Sequence, residues 1–243
     1  MSTDQIPSGN SPFSVMGDSE YMKEQHQEIQ LGREEGLDVS LYSNPEFNWL
    51  QMEQIRMGIK DKVDVSAYAD PSYSFETMKQ IRLSAYSSKD LAPYLDRGFV
   101  DDELEQIRLA LEDGLPIDKW LTDDMYVQQI YEIRIGLYEE LDVSVYADSR
   151  YNWMQMKEIR LGLEKKLEVA IYTNCLFSHW QMKEIRLGLE AGLDVSSYAK
   201  LIFSGTDMEQ KRQELLKEKT AKHTVSDKLG IDVSALAKKE FSI

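Results

Sequence analysis

The dipeptide Ile-Arg recurs with a fixed 26-residue period. Ile55-Arg56, Ile81-Arg82, Ile107-Arg108, Ile133-Arg134, Ile159-Arg160 and Ile185-Arg186 stand in strict register, with Ile29-Gln30 before them and Lys211-Arg212 after. Self-similarity at a period of this length marks stacked supersecondary units, each too small to bury its own apolar face. It overrides chain length as a guide to domain number. It predicts an all-α fold, an α-solenoid of about eight helix-turn-helix repeats. The array occupies residues 21–207, after a flexible polar tail over 1–20 and before a C-terminal capping repeat over 208–243.

Each repeat reads as a longer first helix, a tight turn and a short second helix of about one or two turns. The first helix has a start signal. Asn48, Ser74, Asn152, Ser178 and Ser204 stand where an N-cap is needed, and Gln51, Thr77, Gln155, Gln181 and Asp207 follow three residues later. With Gln this is a capping-box pattern. An aromatic residue precedes each cap (Phe47, Tyr73, Tyr151, Phe177, Phe203), and Met52, Met78, Met156, Met182 and Met208 sit at the fourth helical position. That pairing is a hydrophobic staple. Gly36, Gly114 and Gly192 suit a left-handed C-cap, although Lys62, Ser88, Glu140 and Lys166 hold that place elsewhere. Asp38, Asp64, Asp142 and Asp194 are natural caps for the second helix.

At 100° per residue, Met52, Ile55 and Ile59 share one face of the first helix and Met57 lies opposite, so each helix is expected between two neighbours. Gly58, Ser84, Ala110, Gly136, Gly162 and Gly188 form a column that is always small. A missing side chain there lets another element approach closely, the second helix of the same repeat being the candidate. Residues 81–131 keep the Ile-Arg register but lose the Asp-Val-Ser-x-Tyr motif. Drift in a tolerant array and a changed contact surface both account for that departure. At the C-terminus, Gly230-Ile231-Asp232-Val233-Ser234 returns late and out of register, after a longer charged helix.

The chain carries 43 acidic and 28 basic residues, a formal charge of −15. This balance argues against non-specific binding to nucleic acid or an anionic membrane. No stretch approaches the ~18 apolar residues of a membrane span, and the start of the chain lacks the basic and apolar regions of a secretory signal. Cys175 is the only cysteine, so no internal disulfide forms and a reducing, cytoplasmic setting is expected. His26, His179 and His223 are far apart and none has metal-ligand spacing. There is no phosphate-binding glycine loop and no nucleophile elbow. No catalytic residue, cofactor, metal or small-molecule substrate is therefore expected.

Two features point to binding. Arg56, Arg82, Arg108, Arg134, Arg160, Arg186 and Arg212 must form a ladder along one side of the array. The flanking columns add lysines and glutamates, and the strip as a whole is mildly basic on an acidic body. The arginines can pair locally, as Arg160 with Glu164 and Arg186 with Glu190, or with the Asp caps of adjacent units. Alternatively they face an anion, either an acidic protein segment or a phosphate backbone. The aromatic column Tyr42, Tyr68, Tyr94, Trp120, Tyr146, Tyr172 and Tyr198 sits at a staple position and is expected in the core. Trp49, Trp153 and Trp180, near the start of the first helix, are candidate interface anchors, as is Trp120 within its column.

The string QMxEIRLGLExGLDVSxYAxPxFxW, which covers residues 22–205 with divergent central copies, resembles 26-residue helical-hairpin repeats of gut-dwelling anaerobic bacteria and of their mobile elements and phages. The resemblance implies a helical array rather than an enzyme and brings no catalytic residues. Its mobile-element setting implies host interaction or anti-defence, including inhibition of a CRISPR effector. The expected partner is another protein, a basic nucleic-acid-binding effector among the candidates. Nucleic acid bound through the arginine ladder is the alternative.

Overall fold

The structure is a computed structural model and describes residues 22–229, without the side chains of 225–229. The tail over 1–20 and the late motif Gly230–Ser234 lie outside the described residues. Within them the fold is all-α, with no strand. The helices are α1 (Lys23–Glu34), α2 (Trp49–Lys60), α3 (Phe75–Tyr86), α4 (Ala92–Leu95), α5 (Asp101–Glu112), α6 (Val127–Tyr138), α7 (Trp153–Glu164), α8 (His179–Glu190) and α9 (Gly205–Leu229). Apart from the short α4, their first residues keep the 26-residue period of the sequence. The last helix begins at Gly205, ahead of the boundary expected at 208, because it starts in register like the others.

The chain divides into two compact units, up to Arg108 and from Leu109 onward, with the division inside α5. Each unit is a run of α-solenoid. In the first, α1 packs on α2 and α2 on α3; in the second, α6, α7, α8 and α9 pack consecutively. The buried columns are those of the sequence pattern. Met52, Met78, Met156, Met182 and Met208 are fully buried, as are Ile55, Ile107, Ile133, Ile159 and Ile185. Side chains of this kind contribute about 1.5–3 kcal/mol each when removed from water.

The N-caps form as read. Asn48, Ser74, Asn152 and Ser178 accept from the backbone N–H three residues on, and the boxes with Gln51, Gln155 and Gln181 close. At the C-terminal ends one backbone pattern recurs: the N–H of Leu37, Val63, Lys89, Leu115, Leu141, Leu167 or Leu193 donates to the carbonyl five residues earlier. It requires a positive φ one residue before. Gly36, Gly114 and Gly192 supply it, but Lys62, Ser88, Glu140 and Lys166 adopt it too, with φ between 53° and 62°. The closure is strong enough to hold non-glycine residues in a region that costs them about 1 kcal/mol or more.

The second element is short, at the lower end of the one or two turns expected. Val39–Leu41, Val65–Ala67, Ile117–Lys119, Val143–Val145 and Val169–Ile171 are single 3-10 turns. A carboxylate clasp starts most of them. The carboxylate of Asp64 accepts from the Ser66 N–H at 3.0 Å and from its hydroxyl at 2.7 Å. That clasp is repeated at Asp38 and Asp142, whereas Ile117–Lys119 and Val169–Ile171 are equally short without a side-chain cap.

The small column is explained by a tyrosine. The hydroxyls of Tyr42, Tyr68, Tyr146, Tyr172 and Tyr198 donate to the carbonyls of Glu28, Gln54, Glu132, Glu158 and Glu184 at 3.0–3.3 Å. Each hydroxyl occupies the space a side chain would need: a Cβ on Gly162 would lie 1.9 Å from the Tyr172 oxygen. Where the first residue is Ser84 or Ala110, the following repeat element diverges as well, into α4 or toward Trp120.

Gly162→Ala should therefore destabilise the protein by about 1–3 kcal/mol through overpacking. Tyr172→Phe in the same chain should recover part of the loss, and urea unfolding of the four forms measures the coupling. Burial pushes Tyr42 and Tyr198 up to about 12 from 10.0, and Tyr68, Tyr146 and Tyr172 upward as well. The stability tied to these protonated phenols is intact below pH 10 and is lost as pH rises toward the folded values. Alkaline unfolding monitored by circular dichroism should track the appearance of tyrosinate absorbance.

Candidate functional site

The repeats are joined by two polar columns as well as by the apolar core. The first is glutamine. Gln51 closes its own capping box with Oε1, accepting from the Asn48 N–H at 2.7 Å. Its Nε2 donates across to the next repeat, to the carbonyls of Tyr73 at 2.6 Å and Pro71 at 3.1 Å. Gln25, Gln129, Gln155 and Gln181 repeat the arrangement on Phe47, Tyr151, Phe177 and Phe203, each with a second carbonyl two residues earlier. One amide thus satisfies a helix start in one repeat and fixes the entry loop of the next. Thr77 lacks the amide. There the Asp101 carboxylate takes over, accepting from the hydroxyls of Ser74 and Thr77, at the cost of a positive φ of 48° at Asp101. The departure at α3 is thus locally compensated.

The second column is arginine. Arg56 Nε donates to Glu28 at 2.8 Å, Arg160 to Glu132 and Arg186 to Glu158 at 2.7 Å, and Arg212 to Glu184 at 2.6 Å. The partner is always 28 residues earlier, on the preceding long helix. Arg82 and Arg108 meet glutamine there instead, Gln54 and Gln80. Arg134 lies over the Tyr131 ring at 5.6 Å. The local i,i+4 pairs expected for Arg160 with Glu164 and Arg186 with Glu190 are present as second contacts. The Asp caps are not their partners, because the caps are occupied by serine.

Arg82, Arg108, Arg160 and Arg186 are buried, and Arg56 is nearly so. Burial opposes the charge on Arg186, but Glu158 and Glu190 outweigh it and its pKa is raised. Glu35 is held below the usual carboxylate range by Lys60, with Arg56 adding to the effect. Glu164 moves the other way: desolvation and the neighbouring Glu139 push it up despite Arg160. Among the described residues no buried side-chain nitrogen or oxygen lacks a partner.

The tryptophans fall elsewhere. Trp120 is half-buried beneath Lys119, whose Nζ lies 4.4 Å from its ring. Trp49 starts α2 and is 40% exposed. Trp153 and Trp180 belong to the second unit, at the starts of α7 and α8, and are 39% and 58% exposed. The His179 ring lies tilted against Trp180, with centroids 4.7 Å apart and planes at 40°. Cys175 is half-buried in the loop before α8. A shallow groove of about 300 Å³ lies between the turn after α8 and the flank of α9, lined by Asp194, Leu215, Glu218, Lys219 and Lys222 among others. Among the described residues no cluster of His, Cys, Asp and Glu could hold a metal ion. None of the described helices is long and apolar enough to cross a membrane.

Comparison with protein-family models, with curated proteins and with solved structures finds no match to this chain.

Removing one partner of a ladder pair leaves a desolvated charge behind. Arg186→Ala should cost about 3 kcal/mol. Arg186→Met with Glu158→Met should recover most of it, because two apolar groups can share the same space. Chemical denaturation of the single and double variants measures both values. A single variant as stable as the parent would mean that the ladder does not couple the repeats.

Proposed function

We propose that the chain is a non-catalytic repeat scaffold that binds another protein, with its acidic outer surface opposed to a basic partner. One observation carries this reading. The ladder arginines with glutamate partners are neutralised inside the stack, so their charge is not offered to an anion outside. What remains outward on a chain of formal charge −15 is predominantly acidic. Asp38, Asp64, Asp70 and Asp194 are exposed, and hydrogen bonds from the neighbouring serines lower their pKa values, so they are ionised at neutral pH. Such a surface is complementary to a cationic groove of the kind that holds nucleic acid. The mobile-element resemblance fits the same picture, that of an acidic competitor that blocks a nucleic-acid-binding effector.

The test is competition. The protein should displace a labelled single-stranded oligonucleotide from a basic nucleic-acid-binding protein. Its affinity for that protein should fall about tenfold or more between low and high salt, because the attraction is screened. The protein by itself should not retard the oligonucleotide in a gel. Retardation at low salt by this chain alone would favour nucleic-acid binding and overturn the proposal.

A further inference from the structure

The glutamine clip dictates which way one loop residue points. The amide captures the carbonyls at both flanking positions, 20 and 22 residues downstream, so the residue between them is turned outward. Glu46, Ser72, Arg150, Leu176 and Ile202 occupy that place, and all are exposed. Three of the five are polar, as a forced solvent position requires. The second unit departs from this at α8 and α9: Leu176 is 72% exposed and Ile202 is 83% exposed. Leu201, 44% exposed, lies beside Ile202, and Trp180 starts the helix that receives this loop, its Cβ 2.8 Å from where a Cβ of Gly205 would stand. Trp153 is the first residue of α7, one period before His179 and so one position earlier in its helix than Trp180. The outward column itself requires no apolar residue at 176 or 202, since Glu46, Ser72 and Arg150 hold the same place.

Along this edge basic side chains outnumber acids, the reverse of the chain as a whole. Lys183 Nζ lies 5.3 Å from the Trp180 ring and Lys211 Nζ lies 5.0 Å from the Phe203 ring. Lys200 adjoins Leu201, and Lys157 follows Trp153 by one turn. Asp148 is paired with Arg150 at 2.5 Å; Asp207, held by the Ser204 N–H and hydroxyl at 2.9 and 2.7 Å, and the exposed Glu209 remain as acids on this edge but are outnumbered by these lysines. Exposed tryptophan and branched aliphatic side chains ringed by lysine match a segment that presents apolar side chains among carboxylates.

We propose that the edge formed by the starts of α7, α8 and α9 is a docking surface for an acidic, apolar-rich segment of a partner protein. Trp180, Leu176 and Ile202 are its anchors and Lys183, Lys200 and Lys211 its charge readers. This site is distinct in sign from the acidic surface assigned above. It gives the protein two faces that recognise opposite chemistries, and either can fail without the other.

The probe is a labelled synthetic peptide of Asp, Glu, Leu and Phe, with a control peptide in which Lys replaces the acids. Fluorescence anisotropy should show binding of the acidic peptide only. Leu176→Ser with Ile202→Ser should weaken it roughly tenfold or more, and these polar replacements suit a column that already accepts Ser72, so the melting temperature should not move. Lys183→Glu should weaken it as well. The proposal is overturned by absence of binding, by equal binding of the lysine peptide, or by full affinity in the double serine variant. It is equally overturned if sedimentation shows a dimer that the serine variant dissociates, since the occupant is then a second copy. Oligonucleotide binding lost in the same variant would overturn it too, assigning the edge to nucleic acid.

Discussion

A glutamine amide with two carbonyl acceptors in the following repeat is the contact on which the stacking geometry rests. A helix of 12 residues, the length of α2 and α7, is too short to persist alone in water, and its apolar face fixes only that it must be covered. The apolar columns specify contact without direction. The amide specifies direction, because its oxygen is already committed to the helix start of its own repeat and its two hydrogens can reach the carbonyls only when the next loop arrives at one distance and one angle. Replacement of Gln by Thr77 shows how demanding that requirement is. The same helix start is then served by Asp101 from the following helix, with a backbone conformation that a non-glycine residue otherwise avoids.

The ladder adds register. A guanidinium paired with a carboxylate 28 residues back couples α2, α7, α8 and α9 each to the long helix before it. At both limits of the described array the column turns neutral. Gln30 stands where an arginine would need an earlier carboxylate, and Gln210 where a glutamate would need a later arginine. Both are exposed and bond within their own helices, to Glu34 and Glu214. Buried pairs contribute little net stability when compared with well-packed apolar groups. Their value here is specificity: a helix shifted by one turn would leave its ladder arginine and that arginine's glutamate desolvated and unpaired.

The repeat period, the caps, the buried columns and the helix boundaries are legible in the sequence because each is set by local spacing. Asn48 with Gln51 reads as a capping box from two letters three residues apart. The second role of Gln51 is not legible, since its acceptors are backbone atoms of Pro71 and Tyr73, and backbone atoms leave no mark on composition. The partner of Arg160 escapes for a related reason. Glu132 is 28 residues away, the period plus two, and a search limited to one helix turn cannot find it. Comparing the column one residue before each isoleucine with the arginine column of the next repeat shows the match. The small column does mark a close approach, but the approaching group is a phenol hydroxyl rather than a helix backbone. The second element is a single 3-10 turn, at the short end of the one or two turns its spacing implies, and it stays so with the Asp64 clasp or without one, as at Glu168.

These internal uses of charge bear on what the outside can do. A strip of seven arginines in one sequence column suggests a phosphate-binding track only while its partners are unknown. Once most of the guanidiniums are engaged by the preceding helix, the residues left for recognition are those that the stacking rules place outward and that no neighbour needs. Acidic caps are outward along both units, although each also holds its neighbouring serine. Leu176, Trp180 and Ile202 meet that description in one place, against the polar habit of the outward loop column. A repeat scaffold holds its core positions nearly constant, so departures in an outward column are where specificity can be written without cost to the stack. The interaction surface of such an array is therefore better sought where an outward column changes character than where an inward one repeats.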